Sequence, residues 1–263
     1  MQVEKLRIAI IQMDIAFGDA RANREKADRM IRQAAATGTD LILLPELWTT
    51  AYDLTRILEL ADNEGQETKE QMSRLAKDLN VNILAGSVAN KREGRVYNTT
   101  FLFNRRGEPM FTYSKLHLFR LMDEEKYLAA GSEIGQIEVE GLPCGTMICY
   151  DLRFPELSRK LALAGAKVLF IPAEWPHPRL HHWRTLQMAR AIENQMFVVS
   201  CNRVGRAGDT EFFGHSMVVD PWGEILCEAG EEEQILHTEI DLKLADTVRQ
   251  RIPIFEDRRS DLY

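Results

Sequence analysis

Residues 145–156 read Gly-Thr-Met-Ile-Cys-Tyr-Asp-Leu-Arg-Phe-Pro-Glu, an apolar run that ends in a cysteine and continues into a proline. The apolar residues predict a buried strand over 144–149, and Pro155 suits the first turn of a helix over 154–164. A cysteine between a strand end and a helix start lies near backbone N–H groups that favour thiolate and bind an oxyanion. Cys149 is therefore a candidate nucleophile, and a buried structural thiol is the alternative interpretation.

Two other predicted strands also end in charged residues. The run Leu41-Ile-Leu-Leu-Pro45 is continuously apolar, as in a strand buried on both faces, and Glu46 follows it directly. Lys115 ends the β-rich run Phe111-Thr-Tyr-Ser. Because α/β proteins build their sites at strand ends, Glu46 is a candidate general base and Lys115 a candidate active-site cation. Taken alone, Glu46 is equally compatible with an exposed loop glutamate, and Lys115 fits a solvated lysine better than a functional one.

The remaining pattern predicts a mixed α/β fold in one domain, residues 1–263, without a repeat or a linker. Strands and helices alternate in the N-terminal half in a way that suggests βαβ units. The other predicted strands are 6–13, 40–46, 81–88, 97–104, 110–115, 137–140, 167–171, 196–201 and 234–240, with a hairpin near 218–224. The other predicted helices are one that Asn23 caps, one over 67–79 and one over 180–195.

Composition and charge exclude several classes of partner. The 263 residues are 45% hydrophobic, which rules out global disorder, and 33 basic against 40 acidic side chains give a net charge of −7. An acidic chain without a concentrated basic patch argues against nucleic acid and against anionic membranes. No apolar run approaches the roughly 18 residues of a membrane span, and the N-terminus lacks a signal-peptide pattern. We therefore expect neither a nucleic-acid partner nor a membrane partner.

The cysteines and histidines show no metal-binding or disulfide spacing. Cys144, Cys201 and Cys227 form no CxxC pair with each other or with Cys149, and they are read as structural thiols in a reducing cytoplasm. Pro178 interrupts the only histidine pair with i, i+4 spacing, and no glycine-rich phosphate loop occurs. The sequence predicts neither a metal nor an organic cofactor.

Together the three strand ends resemble the nitrilase superfamily of carbon–nitrogen hydrolases. The matching stretches, in the order and spacing of that family, are Leu-Leu-Pro-Glu46-Leu, Tyr-Ser-Lys115-Leu-His-Leu-Phe and residues 145–156, and the similarity runs from Leu6 to about Asp241. The resemblance implies an α-β-β-α sandwich of two stacked mixed sheets with outer helices. The chain departs from the family pattern at Glu174, where relatives often carry Asn.

The resemblance also implies a catalytic assignment. Cys149 is the nucleophile, Glu46 the general base, and Lys115 holds the oxyanion together with the backbone N–H of Tyr150. The family places a second glutamate in the loop 119–131. That position falls on Glu124, with Glu125 as the second choice. The reaction would be acyl transfer through a thioester, without a cofactor.

Within the family, the chain looks most similar to the omega-amidase branch, which releases ammonia from amides such as 2-oxoglutaramate. A nitrilase, an N-carbamoyl or ureido hydrolase and a catalytically silent binding subunit are the alternatives. Tyr52, His117 and Trp175 are expected wall residues by family position. Arg153 is a candidate partner for a substrate carboxylate, and a helix-end salt bridge is its other interpretation.

The family resemblance further implies a homodimer. The helices expected at its interface are those over 154–164 and 180–195. The tail over 242–263 is expected to cross to the partner.

Overall fold

In the computed structural model, which describes residues 4–262, the strands pair into two large sheets and one small one. The strands are β1 Lys5–Gln12, β2 Leu41–Leu43, β3 Asp62–Asn63, β4 Asn82–Leu84, β5 Val88–Arg92, β6 Arg95–Phe103, β7 Pro109–Ser114, β8 Gln136–Val139, β9 Leu142–Thr146, β10 Val168–Ala173, β11 Phe197–Asn202, β12 Val204–Ala207, β13 Thr210–Phe213, β14 Met217–Val219, β15 Ile225–Glu228 and β16 Gln234–Asp241. The helices are α1 Ala20–Ala35, α2 Ile57–Leu60, α3 Gln66–Leu79, α4 Glu124–Tyr127, α5 Pro155–Leu163, α6 Leu180–Asn194 and α7 Lys243–Arg251.

Both large sheets are mixed, with three parallel strands at the centre and antiparallel pairs on either side, and β3 pairs parallel to β5 at the edge of the first sheet. The first has the order β16-β1-β2-β4-β6-β5-β3, with β7 paired to β6, and β1, β2 and β4 run parallel. The second has the order β15-β14-β11-β10-β9-β8, and β9, β10 and β11 run parallel. β12 and β13 form a separate two-stranded hairpin. Parallel strands bring their carboxyl ends to one edge of each sheet, where α/β proteins place their sites.

The two sheets stack face to face, and helices cover the outer face of each. Strand β1 illustrates the layering, because Ile8 and Ile10 pack against the second sheet whereas Ala9 and Ile11 pack in the cluster that contains α1 and α3. The outer face of the second sheet is covered by α5 and α6. Burial of both faces explains the continuous apolar runs in the sequence. The predicted α-β-β-α sandwich is confirmed.

Most predicted elements are present with shifted ends, and two predictions were wrong. Asp19, rather than Asn23, caps α1 by accepting a hydrogen bond from the backbone N–H of Ala22 at 3.0 Å. Asn23 lies inside the helix, where its buried amide bonds Ala16 and Thr49 of the neighbouring loops. A polar side chain can therefore satisfy loop backbone instead of a helix end.

The predicted strand 81–88 is divided into β4 and β5 by a turn at Gly86. This glycine has φ +55°, and a side chain there would overlap the backbone of Leu44 and Pro45. Only glycine fits a left-handed residue packed so closely against another chain segment. The turn thus supports the segment that leads directly to Glu46.

The C-terminal helix packs against its own chain. Leu242, Ala245 and Val248 are buried, and Lys167 Nζ donates to Asp246 at 2.7 Å. Residues 242–251 of the predicted crossing tail are therefore engaged within the protomer. The single domain predicted over 1–263 includes residues 1–3 and 263, which lie outside the described residues.

Among residues 4–262, no helix has the length and apolar character that a membrane crossing requires.

Candidate active site

Three residues predicted from strand ends meet where the two sheets adjoin. Glu46 follows β2 of the first sheet, Lys115 follows β7 of the same sheet, and Cys149 follows β9 of the second. The backbone N–H of Glu46 donates to the carbonyl of Ala173 at the end of β10, at 3.4 Å, and so links the sheets. Glu46 and Lys115 are completely buried, and Cys149 is 6% exposed. Charged groups at such a depth require partners, and the contacts around them define the site.

Cys149 does not end a strand, so the predicted strand over 144–149 was too long. Strand β9 stops at Thr146, and Cys149 begins a 3₁₀ turn over Cys149–Arg153 that leads into Pro155 of α5. The backbone φ of Cys149 is +46°, a left-handed conformation that a strand does not contain. A non-glycine residue in this region is strained and is held there by its surroundings.

Asp151 holds this turn in place, and the sequence interpretation missed it. Its buried carboxylate accepts hydrogen bonds from the backbone N–H groups of Ile148 at 3.0 Å and His117 at 2.9 Å. It also contacts Nδ1 of His117 at 2.8 Å and accepts from the hydroxyl of Tyr113 at 2.7 Å. The cysteine turn is thereby joined to the segment on both sides of Lys115. The feature of the sequence that could have identified Asp151 is an acidic residue within an otherwise largely apolar motif.

Glu46 receives donors on both carboxylate oxygens. Oε1 accepts from Lys115 Nζ at 2.8 Å, from the amide of Asn98 at 2.7 Å and from the hydroxyl of Tyr52 at 3.1 Å. Oε2 accepts from the backbone N–H of Glu174 at 2.8 Å. These contacts fix the orientation of the carboxylate. Asn98 was also missed, although it is a polar residue within a largely apolar strand.

Glu124 completes the charged cluster. Its Oε1 accepts from Lys115 Nζ at 2.7 Å and from the Tyr52 hydroxyl at 2.6 Å, and its Oε2 accepts from the backbone of Phe119 at 3.0 Å. Burial raises the pKa of Glu124, and the neighbouring Lys115 charge opposes that rise. Glu125, the second choice from sequence, is exposed and lies outside the cluster.

Lys115 is a fully buried ammonium between two carboxylates. Burial alone would lower its pKa, but the charges of Glu124 and Glu46 outweigh burial and hold the pKa well above its usual range. Lys115 therefore stays charged at neutral pH. A fixed cation of this kind suits the stabilisation of a developing oxyanion.

The Cys149 thiol is protonated at rest. Burial and then the charge of Glu46 raise its pKa well above the usual range, while Lys115 acts in the opposite direction. A thiol of this kind needs a base to remove its proton during attack, and Glu46 is the adjacent base.

The expected wall residues have different positions. Tyr52 belongs to the charged cluster itself, and burial followed by the charges of Glu124 and Glu46 raises its pKa well above the usual range. His117 stacks on Phe154 with ring centroids 3.6 Å apart, and its Nδ1 is engaged by Asp151. These contacts fix both rings relative to the cysteine turn.

Arg153 and Trp175 contact each other. The Arg153 guanidinium lies 4.7 Å from the centre of the buried Trp175 ring, and its Nη2 is 3.4 Å from His182 Nδ1. Within residues 4–262 it makes no ion pair with a carboxylate, so the helix-end salt bridge considered from the sequence is wrong. Burial lowers the pKa of Arg153, and the charge of Arg179 contributes in the same direction.

Tyr150, the expected backbone donor to an oxyanion, follows Cys149 within the 3₁₀ turn. Its ring packs 4.8 Å from Phe119 and 5.4 Å from Phe154, measured between ring centroids. The ring thus packs against two aromatic neighbours. This packing could not be predicted from the sequence, because Phe119 and Phe154 belong to different chain segments.

A four-layer sandwich with a buried thiol, a carboxylate and an ammonium at its sheet ends defines a class of hydrolase, and comparisons identify the family. The sequence model of the carbon-nitrogen hydrolase family matches residues 7–250. The 2-oxoglutaramate amidase of Bacillus subtilis is 49% identical over 98% of this chain and 100% of the relative, and the human omega-amidase NIT2 is 35% identical over 98% and 96%. The crystal structure of Saccharomyces cerevisiae Nit3, a member of the nitrilase superfamily, matches with a TM-score of 0.91 and 29% identity over 98% of both chains.

The chain therefore belongs to the carbon–nitrogen hydrolase family of the nitrilase superfamily. It is an enzyme that hydrolyses non-peptide carbon–nitrogen bonds, and its substrates are amides.

Replacement of Asp151 by Asn should lower kcat by about tenfold or more, because small displacements of reacting groups cost rate steeply. The carboxylate of Asp151 accepts on both oxygens, whereas the amide of Asn has one oxygen and one NH₂ group. In Asp151→Asn the NH₂ group would face donors that now bond a carboxylate oxygen, and these hydrogen bonds would be lost. Steady-state ammonia release measures the effect. The matched control is Asp123→Asn, an exposed change in the loop before α4, which should leave kcat unchanged. Wild-type kcat in the Asp151 variant would contradict a positioning role.

Proposed function

We propose that this enzyme hydrolyses the omega-amide of a dicarboxylic acid monoamide, such as 2-oxoglutaramate, to the free acid and ammonia. The observation that carries the proposal is Arg153, a cation beside the Cys149 turn that stacks on Trp175 and has no carboxylate partner within residues 4–262. The names of the relatives from Bacillus subtilis and human point to the same substrate class.

Acylation begins when Cys149 Sγ attacks the amide carbonyl carbon while Glu46 takes the thiol proton. Lys115 Nζ and the backbone N–H of Tyr150 stabilise the resulting oxyanion, and loss of one such donor typically costs roughly 2.7–4 kcal/mol. Glu46 then donates its proton to the amide nitrogen. The carbon–nitrogen bond breaks, ammonia leaves, and the acyl group remains on Cys149 as a thioester.

Deacylation uses the same base. Glu46 takes a proton from water as the water oxygen attacks the thioester carbonyl, and the carbon–sulfur bond breaks. The thiolate of Cys149 then recovers the proton from Glu46, and the carboxylic acid leaves. One carboxylate thus serves twice, which agrees with its hydrogen bonds from three side chains and one backbone N–H.

Glu124 and Tyr52 hold Glu46 and the Lys115 ammonium in fixed positions relative to each other. Glu124 shares Lys115 Nζ and the Tyr52 hydroxyl with Glu46, so the four groups hold one another at distances of 2.6–3.1 Å. We assign Glu124 to orientation of the substrate amide and of Lys115. Retention of the complete cluster argues against a silent binding subunit.

A substrate with a free carboxylate at its far end needs a cation to receive it. Arg153 meets this need, because its guanidinium lies over the Trp175 ring and contacts no carboxylate within residues 4–262, so N–H groups remain for an anion. Arg179 lies near enough to influence the pKa of Arg153 and adds positive potential. Trp175 and His117 are proposed as walls between this cation and Cys149.

The first prediction concerns the nucleophile. Cys149→Ala should abolish turnover while the fold is retained, because both residues are small and face the same backbone strain. Intact-mass analysis of the wild type with a slowly hydrolysed amide should show an acyl adduct on Cys149. Cys227→Ala, which changes a partly exposed thiol, is the matched control and should stay active. An adduct on Cys144, Cys201 or Cys227 together with an active Cys149→Ala variant would refute the assignment.

The second prediction concerns the substrate carboxylate. Succinamate and 2-oxoglutaramate should be hydrolysed with kcat/KM about a hundredfold or more above butyramide, because a neutral end leaves the half-buried Arg153 cation unpaired. Arg153→Met should remove most of this preference and leave butyramide turnover unchanged, whereas the surface variant Arg74→Met should alter neither. Ammonia release across these amides measures both effects.

Three results would redirect this proposal. Equal rates on charged and neutral amides would exclude a carboxylate pocket. A preference for a nitrile would move the enzyme to the nitrilase alternative. A preference for an N-carbamoyl amino acid would move it to the carbamoyl hydrolase alternative.

We also propose a homodimer that pairs α5 and α6 with the same helices of a second copy. Exposed apolar side chains on this side of the second sheet support it: Leu163 is 44% exposed, Ile192 53% and Trp222 38%. Gly223 packs against Ile192 and so places the Trp222 turn beside α6. We also propose a cytoplasmic location, because all four cysteines are free thiols and a reducing compartment keeps thiols free.

Light scattering at micromolar concentration should give the mass of a dimer. Ile192→Asp should shift the protein towards monomer, because it places a charge within an apolar contact. Leu58→Asp, an equally exposed leucine at a different surface, should leave the mass unchanged. A monomeric and fully active wild type would overturn the dimer proposal.

A further inference from the structure

One buried carboxyl group adjoins the charged cluster without belonging to it. Glu174 lies directly after β10 and is 1% exposed. Its backbone N–H donates to Oε2 of Glu46 at 2.8 Å. Any shift of Glu174 therefore moves the proposed general base.

The side chain of Glu174 is only partly satisfied. Its Oε2 accepts from Nη1 of the fully buried Arg203 at 3.3 Å, and its Oε1 has no hydrogen-bond partner within residues 4–262. Arg203 divides its donors among other acceptors as well: Asp14 Oδ1 at 3.1 Å, the Ile15 carbonyl at 2.9 Å and the Val204 carbonyl at 3.0 Å. The pair is thus a single long contact rather than a two-pronged ion pair.

The charged groups around Glu174 act in opposite directions. Burial raises its pKa, Arg203 lowers it, Glu46 raises it and Lys115 lowers it, with a result of about 8. Asp14, whose side chain is 52% exposed, acts through Arg203. The charge of Glu174 also contributes to raising the pKa of the Tyr52 hydroxyl. Loss of a proton from Glu174 thus adds a charge next to Glu46 in a medium of low dielectric.

We infer that Glu174 is a positioning residue for the general base: its backbone N–H orients Glu46, and a proton gained or lost on its side chain adjusts how strongly Glu46 attracts the thiol proton. The inference rests on the proposed role of Glu46. When Glu46 takes the thiol proton and Cys149 attacks, the negative charge moves from Glu46 to the substrate oxygen. Ionised Glu174 repels the negative charge on Glu46 and so favours this movement. Protonated Glu174 lacks this effect.

The direction of the effect on rate follows from this repulsion. General-base catalysis follows Brønsted behaviour, so a stronger pull of Glu46 on the thiol proton raises the rate of attack. Ionisation of Glu174 should therefore raise kcat/KM severalfold between pH 7 and pH 9. Lys115 and Cys149, whose pKa values are held well above their usual ranges, stay protonated over this interval.

The test is the pH profile of kcat/KM for Glu174→Gln. The wild type should show a step near pH 8, and the variant should lack it, because the amide keeps the contact with Arg203 but cannot ionise. Any amide that the enzyme hydrolyses and that has no group titrating between pH 6.5 and pH 9.5 serves as substrate. The result is therefore independent of the carboxylate pocket.

Asp14→Asn provides the matched control at the other end of Arg203. Removal of the Asp14 charge leaves more of the guanidinium charge to Glu174, so the step should move to lower pH with an unchanged amplitude. A variant with a purely structural effect would change kcat at every pH by the same factor. A step that persists in Glu174→Gln at the wild-type midpoint would overturn the inference, as would a wild-type profile without a step.

A direct titration covers the case in which Glu174→Gln does not fold. With glutamate labelled by ¹³C at Cδ, one carboxyl resonance of the wild type should titrate near pH 8 and should move to lower pH in Asp14→Asn. This measurement does not depend on catalysis, so it separates the titration of Glu174 from the proposed role of Glu46. If no glutamate resonance near pH 8 responds to Asp14→Asn, the inference fails.

Discussion

A single buried ammonium holds two buried carboxylates together, and the rest of the site depends on that balance. Lys115 Nζ contacts Glu46 at 2.8 Å and Glu124 at 2.7 Å, and all three side chains have no exposed surface. Loss of one partner from a buried ion pair costs about 3–5 kcal/mol, because the remaining charge is left without compensation. The cluster is therefore stable only as a unit. Burial, and then the charge of Glu46, keep the neighbouring Cys149 thiol protonated until a base removes the proton.

The fold supplies the constraints that keep this unit in one geometry. Glu46 and Lys115 come from one sheet and Cys149 from the other, so the relative position of the sheets sets the distance between base and nucleophile. Asp151 connects the cysteine turn to the segment beside Lys115 through four hydrogen bonds. Gly86 supports the approach to Glu46 from behind. Rigid supports of this kind pre-organise an active site at the expense of local backbone strain, which here falls on Cys149.

The sequence predicted those features that depend on a local pattern of residues. Apolar runs that end in Glu46, Lys115 and Cys149 predicted three strand-end residues, and family resemblance supplied the sandwich and the choice of Glu124. Local pattern failed where a partner is distant in sequence. Asn98 and the backbone of Glu174 reach Glu46 from 52 and 128 residues away, so spacing along the chain does not reveal them. The strand before Cys149 was predicted to be too long, because the apolar run continues past the end of β9 into the turn. Only the backbone φ angle of Cys149 distinguishes the turn from the strand.

The Cys149 thiol is protonated at neutral pH, and Lys115 limits how far its pKa is raised. The rate at which iodoacetamide modifies Cys149, followed by intact mass and peptide mapping from pH 6 to pH 10, tests both properties. With a protonated thiol, the rate in the wild type should still be rising at pH 9, and in Lys115→Met the rise should be displaced to higher pH. A plateau in the wild type by pH 7, which would indicate a thiolate already formed, would contradict it.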